Sequence, residues 1–105
     1  MVESDQLLEL VEAVKKSGKI KKGTNEATKA LERSTAKAVI FASDASPKEI
    51  VLHIPMLAKE KGIPCFEVPQ KADLGVAAGL EVSTAAIAVI DLGDAENLLK
   101  ELTSE

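Results

Sequence analysis

The run Ala38-Val39-Ile40-Phe41-Ala42 holds five consecutive residues without a polar side chain, and Ala85-Ala86-Ile87-Ala88-Val89-Ile90 repeats the pattern towards the C-terminus. A half-exposed strand alternates apolar and polar residues, whereas a strand that is apolar throughout is covered on both faces. Covering both faces of a sheet takes helices in two layers. Working outward from residue 42, Ser46 is placed to cap and Pro47 to open a third helix at its first position. Pro55 interrupts that helix, and a restart there runs to Lys61 and stops at Gly62. Cys65-Phe66-Glu67-Val68, bounded by Pro64 and Pro69, reads as the third strand. Lys71 to Ala78 reads as a short helix ending at Gly79, Leu80 to Thr84 as a loop, and Asp94 as the cap of a last helix through about Leu102.

Towards the N-terminus, Leu7, Leu8, Val11 and Val14 keep helical spacing, with Ser4 or Asp5 as cap and Gly18 as stop, a helix over about 5–17. Lys19-Ile20-Lys21 alternates as a short strand. Gly23-Thr24-Asn25 offers a turn and a cap for helix two, Glu26 to Arg33, whose apolar face is Ala27, Ala30 and Leu31. Strands and helices alternate, so the expected class is α/β. The expected architecture is a three-layer α-β-α sandwich with a central mixed four-stranded sheet. At 105 residues, 46% of them hydrophobic, the chain has the size and the apolar content of one domain spanning 1–105.

Composition excludes several chemistries. No apolar run approaches the ~18 residues of a membrane span, and the acidic start Met1-Val2-Glu3-Ser4-Asp5 lacks the pattern of a secretory signal. One cysteine, Cys65, makes neither a disulfide framework nor a thiolate zinc site, and a cytoplasmic location is expected. Phe41 and Phe66 are the only aromatics, which leaves no platform for stacking bases. His53 is the only histidine and is placed on a helix beside Pro55. Cys65 is placed in an apolar strand, where it behaves as a small hydrophobe. This pair does not form a nucleophile with base and orienting acid, and no spacing suits a metal. The expectation is a protein that is not an enzyme, with no catalytic residue, metal or cofactor.

The net charge of -4 argues against binding nucleic acid through bulk charge, but the distribution is uneven. Residues 15–29 hold Lys15, Lys16, Lys19, Lys21, Lys22 and Lys29 against Glu26 alone, a net +5 in an otherwise acidic chain. A solvated lysine run and a focused anion contact both fit that segment. Within Lys19–Lys29 (KIKKGTNEATK), Gly23 permits a tight turn, and Thr24 and Asn25 are placed at a helix N-terminus, which favours anions. Asn25 and Lys29 are four apart and share a helical face, with Glu26 beside them. A carboxylate inside a basic patch is odd for phosphate binding alone and makes sense if it accepts from base amino or imino groups, while Lys29 can donate to a guanine oxygen and Asn25 can do either. An ordinary capped amphipathic helix fits the same residues. Asp44, after a strand, suits a cap or turn, and more weakly a strand-end acidic site. Leu80 and Val82, apolar residues in a loop, either fold back on the core or form a small exposed clamp.

Three stretches together resemble the L-seven-Ae family, in the form of an archaeal protein of the large ribosomal subunit. They are KKGTNEATKALER (Lys21 to Arg33), ASDASPKEIVLHIPMLAKEKGIP (Ala42 to Pro64) and KADLGVAAGLEV (Lys71 to Val82). The resemblance implies an RNA-binding protein for kink-turn and kink-loop motifs that nucleates ribonucleoprotein assembly. Its implied partners are the ribosomal large subunit, box C/D and H/ACA guide ribonucleoproteins with their scaffold proteins, and ribonuclease P. It implies no membrane and a monomer when free. By that resemblance Asn25, Glu26 and Lys29 read the guanines of tandem sheared G·A pairs, while Lys22, Gly23 and Thr24 approach the adjacent backbone. Asp44 and Ile50 border the RNA, and Lys71 is a basic contact. Leu80, Glu81 and Val82 form the loop that packs on an extruded nucleotide, in an apolar version that resembles the archaeal one. Against the family pattern the chain starts at helix one, ends early and carries Ser46 where some relatives have an acidic contact. Those departures bear on protein docking more than on RNA readout. Two other classes remain: the recognition half of an RNA-modifying enzyme, for which no knot-type cofactor domain is present, and a small-ligand or signalling α/β domain built around Asp44.

Overall fold

The computed structural model describes residues 4–44 and 49–103, with the side chains of 4, 49–51, 94 and 101–103 outside that description. Its elements are α1 (Ser4–Ser17), β1 (Lys19–Lys22), α2 (Thr24–Glu32), β2 (Ala38–Ala42), α3 (Glu49–Lys61), β3 (Cys65–Val68), α4 (Lys71–Ala77), β4 (Ala86–Asp91), a 3-10 turn (Gly93–Ala95) and α5 (Glu96–Thr103). The strands make one mixed sheet in the order β1-β4-β2-β3. β4 runs antiparallel to both β1 and β2, and β2 pairs parallel to β3. The expected α/β sandwich is therefore present, with all four strands in one sheet.

All five residues of β2 are buried, as their lack of polar side chains requires. Alternation divides them between two cores. Ala38, Ile40 and Ala42 join Ile87, Val89 and Val68 under α1, α4 and the chain's end, packing on Leu7, Leu10, Val11, Val14, Leu74 and Leu99. Val39 and Phe41 face α2 and α3 with Ala86 and Ala88, packing on Ala27, Ala30, Leu31, Ile54 and Ala58. Alanines on both sides of the α2–β4 contact leave little side chain between them, which lets the helix lie close to the sheet.

Three local expectations differ from the structure. Helix two begins at Thr24, two residues before Glu26, and its N-cap is Gly23, with no side-chain capping bond. Helix three is one element across Pro55, not two. The ring removes a single N–H, and the buried Ile54 and Ala58 on either side hold both halves against the sheet, outweighing the lost bond. The last helix is entered through the 3-10 turn, with Asp94 inside it rather than at its cap. There Asp91 Oδ1 accepts from the Gly93 N–H at 3.0 Å. The expected Ser46–Pro47 opening of helix three lies outside the described residues.

Because β1, β2 and β3 all run opposite to β4, one end of the sheet collects the exits of the first three strands and the entry to the fourth. Residues 22–24, 43–44, 69–71 and 83–85, far apart in sequence, therefore share one edge of the molecule.

Candidate nucleic-acid interface

At that edge the backbone is laced together. The Gly23 N–H donates to the Ala86 carbonyl at 2.9 Å, the Ala42 N–H to Ala85 at 2.8 Å, the Ser43 N–H to Val68 at 2.8 Å and the Thr84 N–H to Lys71 at 3.3 Å. Asp44 Oδ1 accepts from the Lys71 N–H at 2.8 Å. The mouths of α2 and α4 are thus tied through the sheet end into one rigid rim.

Gly23 stands at φ 101° and ψ 156°, a region that is essentially glycine-only. A Cβ there would meet nothing within 4 Å, so backbone strain rather than crowding selects glycine. The first-turn N–H groups of a helix have no intrahelical acceptor, and here no side chain caps them. Asn25, Glu26 and Lys29 are exposed beside this mouth and Thr24 is half-buried. Lys29 Nζ lies 3.9 Å from Glu26 Oε1. An exposed pair at that distance binds itself weakly, so both groups remain available to a ligand.

An open groove of about 250 Å³ runs from this mouth along α2, lined by Lys21, Glu26, Lys29, Arg33 and Thr35 over a floor of Ala30 and Ile90. Lys21 and Arg33 join the site here, beyond the residues expected from sequence. The signals existed: Arg33 lies one turn beyond Lys29, and strand alternation puts Lys21 on the side of the sheet opposite Ile20, which packs towards α1.

The other candidates divide. Asp44 performs the cap role, and Lys71 sits half-buried at the start of α4. Ile50 is in the first turn of α3, with its side chain outside the described residues. Leu80 and Val82 part company. The Gly79 and Leu80 N–H groups donate to the Val76 and Gly75 carbonyls, at 3.0 and 2.9 Å, with Gly79 at φ 79°. This pair of bonds is a Schellman ending of α4, in which the residue after the left-handed glycine turns an apolar side chain inward. Leu80 accordingly packs on the core under α1. Val82 is 72% exposed, and Glu81 is exposed beside it.

Cys65 opens β3, at the end of the sheet opposite this rim. His53 is exposed on α3. Burial, and secondarily the Glu67 carboxylate, push the Cys65 thiol from 9.0 up to about 12, which keeps it protonated and weakly nucleophilic. Among the described residues, no three His, Cys, Asp or Glu converge as metal ligands.

Comparison with known proteins gives a similar solved structure and a family. A solved structure described as the Giardia lamblia 15.5kD RNA binding protein is 34% identical over 99% of this chain and 89% of that one, with a TM-score of 0.83. The family model described as the ribosomal protein L7Ae/L30e/S12e/Gadd45 family matches residues 5–99. A match that spans most of the chain places the protein as a member of the ribosomal protein L7Ae/L30e/S12e/Gadd45 family.

Proposed function

We propose that this chain is an RNA-binding protein that recognises kink-turn motifs at tandem sheared G·A pairs and nucleates ribonucleoprotein assembly on them. One observation carries the reading. Asn25, Glu26 and Lys29 stand exposed at an uncapped helix mouth, on the rim that also holds Lys71 and Val82. A regular A-form major groove is too deep and narrow for a helix end. A kinked duplex opens it. Glu26 then accepts from guanine amino and imino groups, Lys29 donates to guanine oxygens, and Asn25 does either. Lys22, Gly23 and Thr24 approach the adjoining backbone, where the helix dipole favours phosphate. Lys21 and Arg33 supply cations along the groove beside α2. Asp44 and Ile50 border the RNA, Lys71 adds a basic contact, and Glu81 and Val82 face the extruded nucleotide, with Leu80 supporting them from below.

The protein would shift RNA towards the kinked form because only that form presents the purine edges, a population shift driven by differential affinity. Similarity to a protein described as RNA-binding supports the broader statement. The apolar Leu80-Glu81-Val82 loop fits an archaeal type. The RNAs proposed are those of the large ribosomal subunit, box C/D and H/ACA guides with their scaffold proteins, and ribonuclease P. The protein would act in the cytoplasm, as a monomer before it joins these particles. Gel shift with a kink-turn RNA and a control whose G·A pairs are replaced by Watson–Crick pairs tests the reading. Strong preference for the kink-turn is expected, and equal binding would overturn it.

A further inference from the structure

Gly75 sits in the middle of α4 and is buried. Nothing in helix physics asks for glycine there, since alanine forms helix better and loses less backbone entropy on folding. The neighbouring chain supplies the reason. A Cβ built on Gly75 falls on the Val82 carbonyl oxygen and lies 2.9 Å from the Ser83 Cα. Both atoms are backbone, so no rotamer change relieves the overlap. After the Schellman turn at Gly79, the segment 80–84 climbs back along α4. It is fastened below by the Leu80 N–H on Gly75 and above by the Thr84 N–H on Lys71. Between those fastenings, Val82 rests its main chain on the bare face of Gly75.

We propose that Gly75 is a positioning residue that sets where Val82 is presented, and through it which unpaired nucleotide the protein accepts. Any side chain at 75 lifts the segment off α4 at the point where Val82 projects. Gly75 itself touches no RNA. The inference rests on the kink-turn reading for its specificity half, while the positioning half stands on the protein alone.

Gly75→Ala, Val82→Ala and the double variant test it against three RNAs: a kink-turn, the same RNA with an abasic extruded nucleotide, and the G·A-replaced control. The wild type is expected to favour base over abasic on the order of tenfold, the scale of one apolar contact in a pocket. Gly75→Ala and Val82→Ala are each expected to abolish that preference. The double variant should be no worse than either, and Gly75→Ala should keep its preference for intact G·A pairs. In the RNA-free protein, Gly75→Ala is expected to move the amide resonances of 80–84. Wild-type amide exchange, which needs no variant to fold, should be slower at Leu80 and Thr84 than at Glu81. A Gly75→Ala protein that keeps the base preference would overturn the proposal, as would open-loop exchange at Leu80 and Thr84 in the wild type. A wild type that favours G·A pairs but ignores the extruded base would also overturn it and leave the kink-turn reading intact. A wild type indifferent to G·A pairs would instead overturn that reading, with the amide measurements still deciding whether Gly75 holds the segment.

Discussion

The Asp44 carboxylate reaches across 27 positions of sequence to accept the backbone N–H of Lys71 at 2.8 Å. It caps a helix other than the one that follows it, and so fixes the start of α4 against the end of β2. Since α4 carries the segment with Val82, one exposed acidic residue anchors half of the rim.

Removing that cap has a definite cost. Asp44→Ala leaves the first N–H of α4 without its acceptor and should destabilise the fold by about 1 kcal/mol. For a domain of this size that lowers Tm by roughly 4–8 °C. Asp44→Asn keeps an acceptor oxygen and should lose only a fraction of this. Thermal unfolding of the two variants checks the order.

Gly23→Ala forces a Cβ into a glycine-only backbone region without creating any clash. Strain of about 1–3 kcal/mol is expected, to be seen as a lower urea midpoint at unchanged slope. If the turn rearranges instead, stability is recovered while the mouth of α2 moves. Kink-turn affinity should then fall by more than the stability change accounts for.

Asn25→Ala and Glu26→Ala touch exposed side chains that do not cap α2. Stability should stay within about 0.5 kcal/mol of wild type. Kink-turn affinity should drop roughly 5- to 150-fold per residue, the range for a lost base-edge contact. Parallel denaturation and gel-shift measurements separate the two effects. A loss of affinity matched by a loss of stability would point to misfolding instead of readout.

Lys22→Ala and Arg33→Ala should act through phosphate. Each is expected to weaken kink-turn and control RNA alike, and to reduce the slope of log affinity against log salt by about 1. Because the chain as a whole carries -4, the wild-type slope should be set by the few cations at this rim and along the groove beside α2.

The Cys65 thiol, raised to about 12, should resist modification at pH 8 and be labelled at a rate limited by unfolding. The folded state holds its proton more tightly than the unfolded chain. Stability from this group is therefore complete below about pH 9 and lost as pH rises through 9 to 12. Cys65→Ala should flatten that alkaline decline in a pH series of urea midpoints.

The apolar runs at 38–42 and 85–90 determined the two-sided sheet, because covering both faces of an apolar strand leaves no other architecture. Strand and helix positions followed to within a residue or two wherever periodicity was strong. Misplaced boundaries fell where tertiary contacts overrode a local rule. Buried Ile54 and Ala58 carry α3 through Pro55, and a glycine in a rare conformation starts α2 ahead of the residues suited to cap it.

Sequence by itself also marked Asn25, Glu26 and Lys29 as a polar trio on one short helix, since spacing on a helix is local geometry. It left open whether Leu80 and Val82 point inward or outward. Only the tertiary structure decided that, because the answer depends on which residue follows the left-handed glycine and where the returning chain lands. It alone joined Asp44 to Lys71 and Val82 to Gly75. Strand order fixes which connections share an edge, and no local pattern encodes the antiparallel insertion of β4 between β1 and β2 that brings these four connections to one end.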